Sequence, residues 1–158
     1  MRFILILSVL LLSACASASD NAHGADSTTR AHRLTSYARS LVGTPYKYGG
    51  SSPNTGFDCS GFVGHVFRHA AGMSLPHQTQ QMSRHGLPVR SSQLSEGDLV
   101  FYDTNNYAFS HVGIYLGNDR FIHAPSSGGS VRVDDMKLAY WKKHYNGARR
   151  ITLQHWIY

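Results

Sequence analysis

The apolar positions divide the chain into a short leader, a helical stretch and a strand-rich stretch. From Thr29 to Val42, residues Ala31, Leu34, Ala38, Leu41 and Val42 recur at helical spacing, and Gly43-Thr44-Pro45 supplies a stop. Pro45 to Phe57 carries three glycines, Pro53 and Asn54, which reads as a loop with particular backbone demands. A second helix follows, in which Phe62, Val63, Val66, Phe67 and Ala70 share one face, Asp58 stands at the N-cap and Gly72 ends the run. Pro76 and Pro88 break the next segment, leaving room for a short helix around Thr79 to His85. Strands are predicted at Asp98 to Tyr102, His111 to Leu116 and Arg120 to Ala124, with a further short one at Ser130 to Val133. A helix is expected over Met136 to Tyr145 and a final strand over Arg149 to Leu153. Helices first and an antiparallel sheet second make an α+β domain.

The leader lies outside that domain. Arg2 gives it a positive start, and the apolar run from Phe3 to Leu12 is too short to cross a bilayer, so residues 1–14 read as a secretory signal. Leu12-Ser13-Ala14-Cys15 resembles the lipobox of bacterial lipoproteins, which implies cleavage before Cys15 and three acyl chains on that residue. One chain binds a membrane only marginally, at about 0.8 kcal/mol per buried methylene, whereas three hold it permanently. Ala16, where lipoproteins kept at the inner membrane have aspartate, points to the outer membrane, facing the periplasm. Residues 15–28 are small and polar and are expected to form a lipidated flexible tether, leaving residues 29–158 as the folded domain.

The chain has 15 basic and 9 acidic residues, a net charge of +6 that becomes +5 when Arg2 leaves with the leader. That balance suits an anionic polymer or a membrane surface. Basic residues do not cluster in a stripe interleaved with aromatics, which argues against nucleic acid as a partner. A monomer is expected.

Two cysteines are present, and lipidation of Cys15 would leave Cys59 without a partner in an oxidising compartment. Catalysis gives such a thiol a reason to persist. Cys59 falls in the first helical turn, where free backbone amides stabilise a thiolate and can hold an oxyanion. The base is sought among the ten histidines. A three-residue loop at Gly117 to Asp119 puts His111 and His123 on one face of the hairpin as diagonal neighbours, roughly 7 to 8 Å apart by backbone. A two-residue loop would put them on opposite faces. The same-face geometry allows His111 to take the proton of Cys59 while His123 orients the ring.

Five segments in order, Thr44-Pro45-Tyr46-Lys47-Tyr48-Gly49-Gly50, DCSGFV from Asp58, GDLVFY from Gly97, SHVGIYLG from Ser110 and FIHAP from Phe121, resemble the NlpC-type papain-like cell-wall peptidases. The likeness runs from about Leu34 to Ile151. It implies a papain-like fold with N-terminal helices packed on an antiparallel β-sheet, and hydrolysis of peptidoglycan stem-peptide or cross-link amides through a thioacyl-enzyme, with no cofactor. It also implies Cys59 as nucleophile, His111 as base, His123 as orienter, Tyr46 beside the oxyanion site, and Asp58 and Ser60 as substrate contacts. Asp58 serves equally as a plain helix cap. Members often carry Pro-Arg where this chain has Pro76-His77, a departure that bears on recognition of an acidic substrate group.

Three other readings compete. Cys59, His111 and His123 are zinc-capable, and His65 and His69 stand four apart on one helix, where a solvated face is expected. Against a metal, a cysteine at a helix start fits a nucleophile better than a ligand. Related lipid acyltransferases place the histidine before the cysteine, the reverse of the order here. A wall-binding scaffold with a vestigial site would not need the reactive residue types that every matched position retains.

Overall fold

The computed structural model describes residues 18–127 and 129–152. Helix α1, Ala18–Ser40, starts eleven residues before the apolar periodicity does. Once residues 29–40 form a nucleus, each added turn costs little, and the alanine-bearing segment before them extends the helix although it lacks an apolar face. Cys15 and the leader lie outside the described residues.

The segment expected as a loop contains a small hairpin, β1 Ser51–Ser52 with β2 Gly56–Phe57. Helix α2, Cys59–Ala71, is bounded as its sequence requires. Asp58 caps it by accepting from the Gly61 amide at 2.7 Å, and Gly72 ends it in a left-handed conformation with φ 68°. Helix α3 is a single turn, Thr79–Met82. Strand β3, Leu87–Val89, was not expected; with Pro88 it lies at a sheet edge, where proline is tolerated. Strands β4 Leu99–Tyr102, β5 His111–Tyr115 and β6 Arg120–His123 fall within a residue of their expected bounds. Strand β7, Arg132–Asp135, lies two residues later than expected. Helix α4 is shorter than expected, Ala139–His144, because residues 136–138 form the turn out of β7 and Tyr145 already belongs to β8, Tyr145–Arg150, which starts four residues before its expected place.

The six-stranded sheet is antiparallel throughout, in the order β3-β8-β4-β5-β6-β7. Its central strands are buried on both faces. On one face, Leu34 and Ala38 of α1 and Phe62, Val63, Val66 and Phe67 of α2 pack with Leu99, Phe101, Val112, Ile114 and Ile122. On the other, Trp141 of α4 packs with Val100, Tyr102, Tyr115, Phe121 and Ala148. Alternation within the strands sends odd and even positions to different cores. The register of β5 with β6 pairs Ile114 with Ile122 and Tyr115 with Phe121, which is the register of a three-residue loop at 117–119. Gly117, Asn118 and Asp119 all take positive φ there.

The tail closes the sheet. Arg150 of β8 makes two bonds to Asp98, at 2.8 and 2.7 Å, and the Arg149 guanidinium donates to the Ser83 carbonyl at 2.6 Å. Asp98 is buried, so this pairing neutralises a charge that would otherwise oppose folding.

Candidate active site

A cleft of about 560 Å³ opens beside the start of α2, lined by Tyr46, Tyr48, Asp58, Cys59, Ser60, His77 and Ser110 among others. Cys59 is the free thiol among the described residues, and it is partly exposed along this cleft. Its place follows from its neighbours. Asp58 accepts from Gly61 and from the Ser60 hydroxyl with one oxygen and from the Gly49 amide with the other, at 3.0 Å, which ties the helix start to the preceding loop. A Cβ at Gly61 would lie 2.0 Å from the Gly50 carbonyl, so this glycine lets the Tyr46 loop pack on the helix.

Burial, and next the Asp58 carboxylate, push the Cys59 thiol up to about 11, against the lowering expected from its helix position. The amides of Val112, Ser60 and Cys59 oppose this by hydrogen bonding to the sulfur but do not prevail. The Val112 contact brings the strand position that carries His111 against the helix start.

His111 is buried, next in sequence to the cleft-lining Ser110, and its Nε2 lies 2.7 Å from Nδ1 of His123. Gly113 stands opposite His123 in the β5–β6 register and leaves room beside it. A Cβ at Gly113 would lie 2.7 Å from a ring carbon of Phe121 and 3.2 Å from the His123 Cβ. Burial, with His123 next, pulls His111 down to about 3, so its imidazole is neutral. His123 is fully buried and is also lowered, by burial against the pull of Asp134. Trp141 stacks on His111 at 5.9 Å and presents its edge to His123 at 5.1 Å, sealing the pair from the α4 side.

His123 Nε2 bonds the Asp134 carboxylate at 3.0 Å, a partner that sequence reasoning missed. The signal was parity. Register pairs His123 with Arg132, so Arg132 and Asp134 share its face, but a strand placed at Ser130 to Val133 stops short of Asp134. Tyr46 lines the cleft, and burial, then the nearby sulfur of Cys59, raise its hydroxyl pKa. Asp58 and Ser60 line the cleft as well, although their polar atoms serve the helix cap. His65 does not lie on a solvated face. It is buried, bonds the Tyr37 hydroxyl at 3.0 Å and packs against Phe57, because α1 covers that side of α2. Among the described residues, no three His, Cys, Asp or Glu side chains gather in a metal-holding group.

A cysteine at a helix start, packed against the strand residue next to a buried histidine that is itself bonded to a second histidine, fits the papain-like arrangement. The NlpC/P60 family model matches residues 43–150, and the chain belongs to that family of cysteine-type peptidases. Murein DD-endopeptidase MepH of Escherichia coli is 41% identical over 113 residues, which cover 70% of this chain and 42% of the relative. The probable endopeptidase NlpC of the same organism is 41% identical over 156 residues, 96% of this chain and 100% of the relative. An NlpC/P60 family protein of Bacillus cereus, solved by crystallography, superposes with a TM-score of 0.70 at 32% identity, over 76% of this chain and 39% of the other. The chain thus spans under half of MepH and the whole length of NlpC.

Proposed function

We propose that this protein is a lipid-anchored peptidoglycan hydrolase, a cysteine endopeptidase that cleaves stem-peptide or cross-link amides, with Cys59 as nucleophile and His111 as base. The observation that carries the reading is the pairing of His111 Nε2 with His123 at 2.7 Å, which leaves Nδ1 of His111 for the thiol beside the Val112 amide.

The chemistry starts from a neutral pair. As the scissile carbonyl settles over the helix start, the Cys59 proton moves to His111 Nδ1, sulfur bonds the carbonyl carbon and the π pair moves to oxygen. Amides at the first turn of α2 receive that oxyanion, with Tyr46 beside it. The imidazolium returns its proton to the departing amine as the C–N bond breaks, leaving a thioester. Water then gives a proton to His111 and attacks the thioester carbon, and the sulfur leaves to recover the proton. His123 keeps the ring in place and shares its charge.

The segment Leu12-Ser13-Ala14-Cys15 supports acylation at Cys15 after removal of residues 1–14, and Ala16 supports an outer-membrane location facing the periplasm. Residues 15–28 then connect lipid to domain, with 18–28 as the first turns of α1 in place of the flexible tether expected from their composition. The enzyme acts as a monomer, and its net positive charge favours an anionic wall over repulsion from it.

Digestion of isolated sacculi under reducing conditions, with mass spectrometry of the products, tests the reading. New peptide termini are expected, and their masses name the bond. No new termini with Cys59 intact would support a wall-binding scaffold instead.

A further inference from the structure

Asp134 stands third in a line that crosses three strands. Each step is a same-face diagonal, His111 on β5 to His123 on β6 at 2.7 Å and His123 to Asp134 on β7 at 3.0 Å. Arg132 holds the carboxylate from its own strand, with Nε 3.1 Å from one oxygen and 3.2 Å from the other, and Nη2 3.2 Å from the second. Another Arg132 nitrogen donates to the Ser127 carbonyl at 3.2 Å, so the clamp is itself anchored.

The line has a direction. An ionised carboxylate only accepts, so the His123 nitrogen facing it must carry a proton. A neutral imidazole has one N–H, which makes the other nitrogen of His123, Nδ1, an acceptor. His111 Nε2 must then be the donor in the bond between the rings, and the lone pair of His111 falls on Nδ1. The hydrogen bond from His123, with Arg132 acting the same way against burial, holds Asp134 well below the usual carboxylate range, so the carboxylate is ionised throughout.

We propose that Asp134 is a positioning residue, which by accepting from His123 Nε2 dictates, through two linked imidazoles, that His111 presents an unprotonated Nδ1 to the Cys59 thiol. The proposal rests on the reading of Cys59 and His111 as nucleophile and base. Without Asp134, either tautomer of His123 serves, and half of the register that arms His111 is lost. The groups shown against His111 are His123 from β6, Asp134 and Arg132 from β7 and Trp141 from α4. Among them Asp134 alone raises its basicity, while His123 and Arg132 lower it.

The test uses the full-length chain in detergent, labelled with nitrogen-15 at histidine, and two-bond proton–nitrogen correlations of the rings. In the wild type, both His111 and His123 should be protonated at Nε2 alone; protonation of His111 at Nδ1 would overturn the proposal without any variant being made. In Asp134→Ala, His111 should show both tautomers, kcat on muropeptides should fall by roughly 10²-fold with KM within about twofold, and the acid limb of the kcat/KM profile should move to lower pH. Asp134→Glu should restore most of kcat. Reduced stability with tautomers, kcat and acid limb unchanged would show a merely structural residue and refute the assignment. A wild type that has the expected tautomers but releases no peptide from the wall would support the tautomer assignment and defeat the proposed reaction, so the two failures are distinguishable.

Discussion

His111 and His123 are one register step away from facing each other directly, yet their rings meet at 2.7 Å. Diagonal neighbours on a hairpin are roughly 7 to 8 Å apart by backbone, so the contact needs space that a side chain at Gly113 would fill. Gly113→Ala should therefore disturb the site as well as the core. The added methyl meets Phe121 and the Ile122 carbonyl at 2.7 and 2.9 Å, and overpacking of that kind costs about 1 to 3 kcal/mol. Denaturant unfolding should register that loss, and wall digestion should slow by more than the folded fraction explains. Activity in proportion to folded protein would mean that the histidines do not need the gap.

Burial of neutral histidines makes stability depend on pH. His65, His111 and His123 all have pKa values lowered first by burial, so below the ordinary histidine range the unfolded chain binds protons that the native chain refuses. Stability is then complete above about pH 6.5 and falls on acidification toward the His111 value of about 3, by up to about 1.4 kcal/mol per pH unit for each histidine. Asp134, lowered by its bond to His123, adds a loss once the pH drops below the ordinary carboxylate range. Urea midpoints at pH 7, 6, 5 and 4 should fall steadily. A flat series from 7 to 5 would contradict the burial of uncharged imidazoles.

What the sequence disclosed was local. The bounds of α2 follow from Asp58 and Gly72, and the facing of His111 and His123 follows from the length of one loop. The features it hid are made by distant partners. β3 exists because β8 pairs with it, Leu87 opposite Arg150, and nothing in Leu87-Pro88-Val89 alone asks for a strand. The β1–β2 hairpin is set by Phe57 bridging to Tyr46 and by Gly50 seating on Gly61. The upward shift of Cys59 has the same origin, since a helix start favours an anion and only the packed fold brings the burial and the Asp58 carboxylate that oppose it.

Gly61→Ala probes the seat of the Tyr46 loop. A Cβ 2.0 Å from the Gly50 carbonyl cannot be accommodated without moving backbone. Stability should drop by about 2 kcal/mol or more, and KM should rise as Tyr46 shifts along the cleft. Thermal unfolding and steady-state kinetics measure both, and an unchanged melting temperature would refute the packing role.

Cys15→Ala tests the proposed anchor. The variant should leave the membrane fraction for the soluble one, while its activity on solubilised muropeptides stays that of the wild type. Persistent membrane fractionation would refute acylation at this residue.

The most direct test is the mass of the enzyme caught during turnover. Acid quenching of the wild type mixed with a cross-linked muropeptide should yield a fraction of protein heavier by one acyl fragment, mapped to Cys59, and Cys59→Ser should show neither adduct nor released peptide while keeping its fold. Cleavage by Cys59→Ser at the wild-type rate would contradict a thioester on this sulfur.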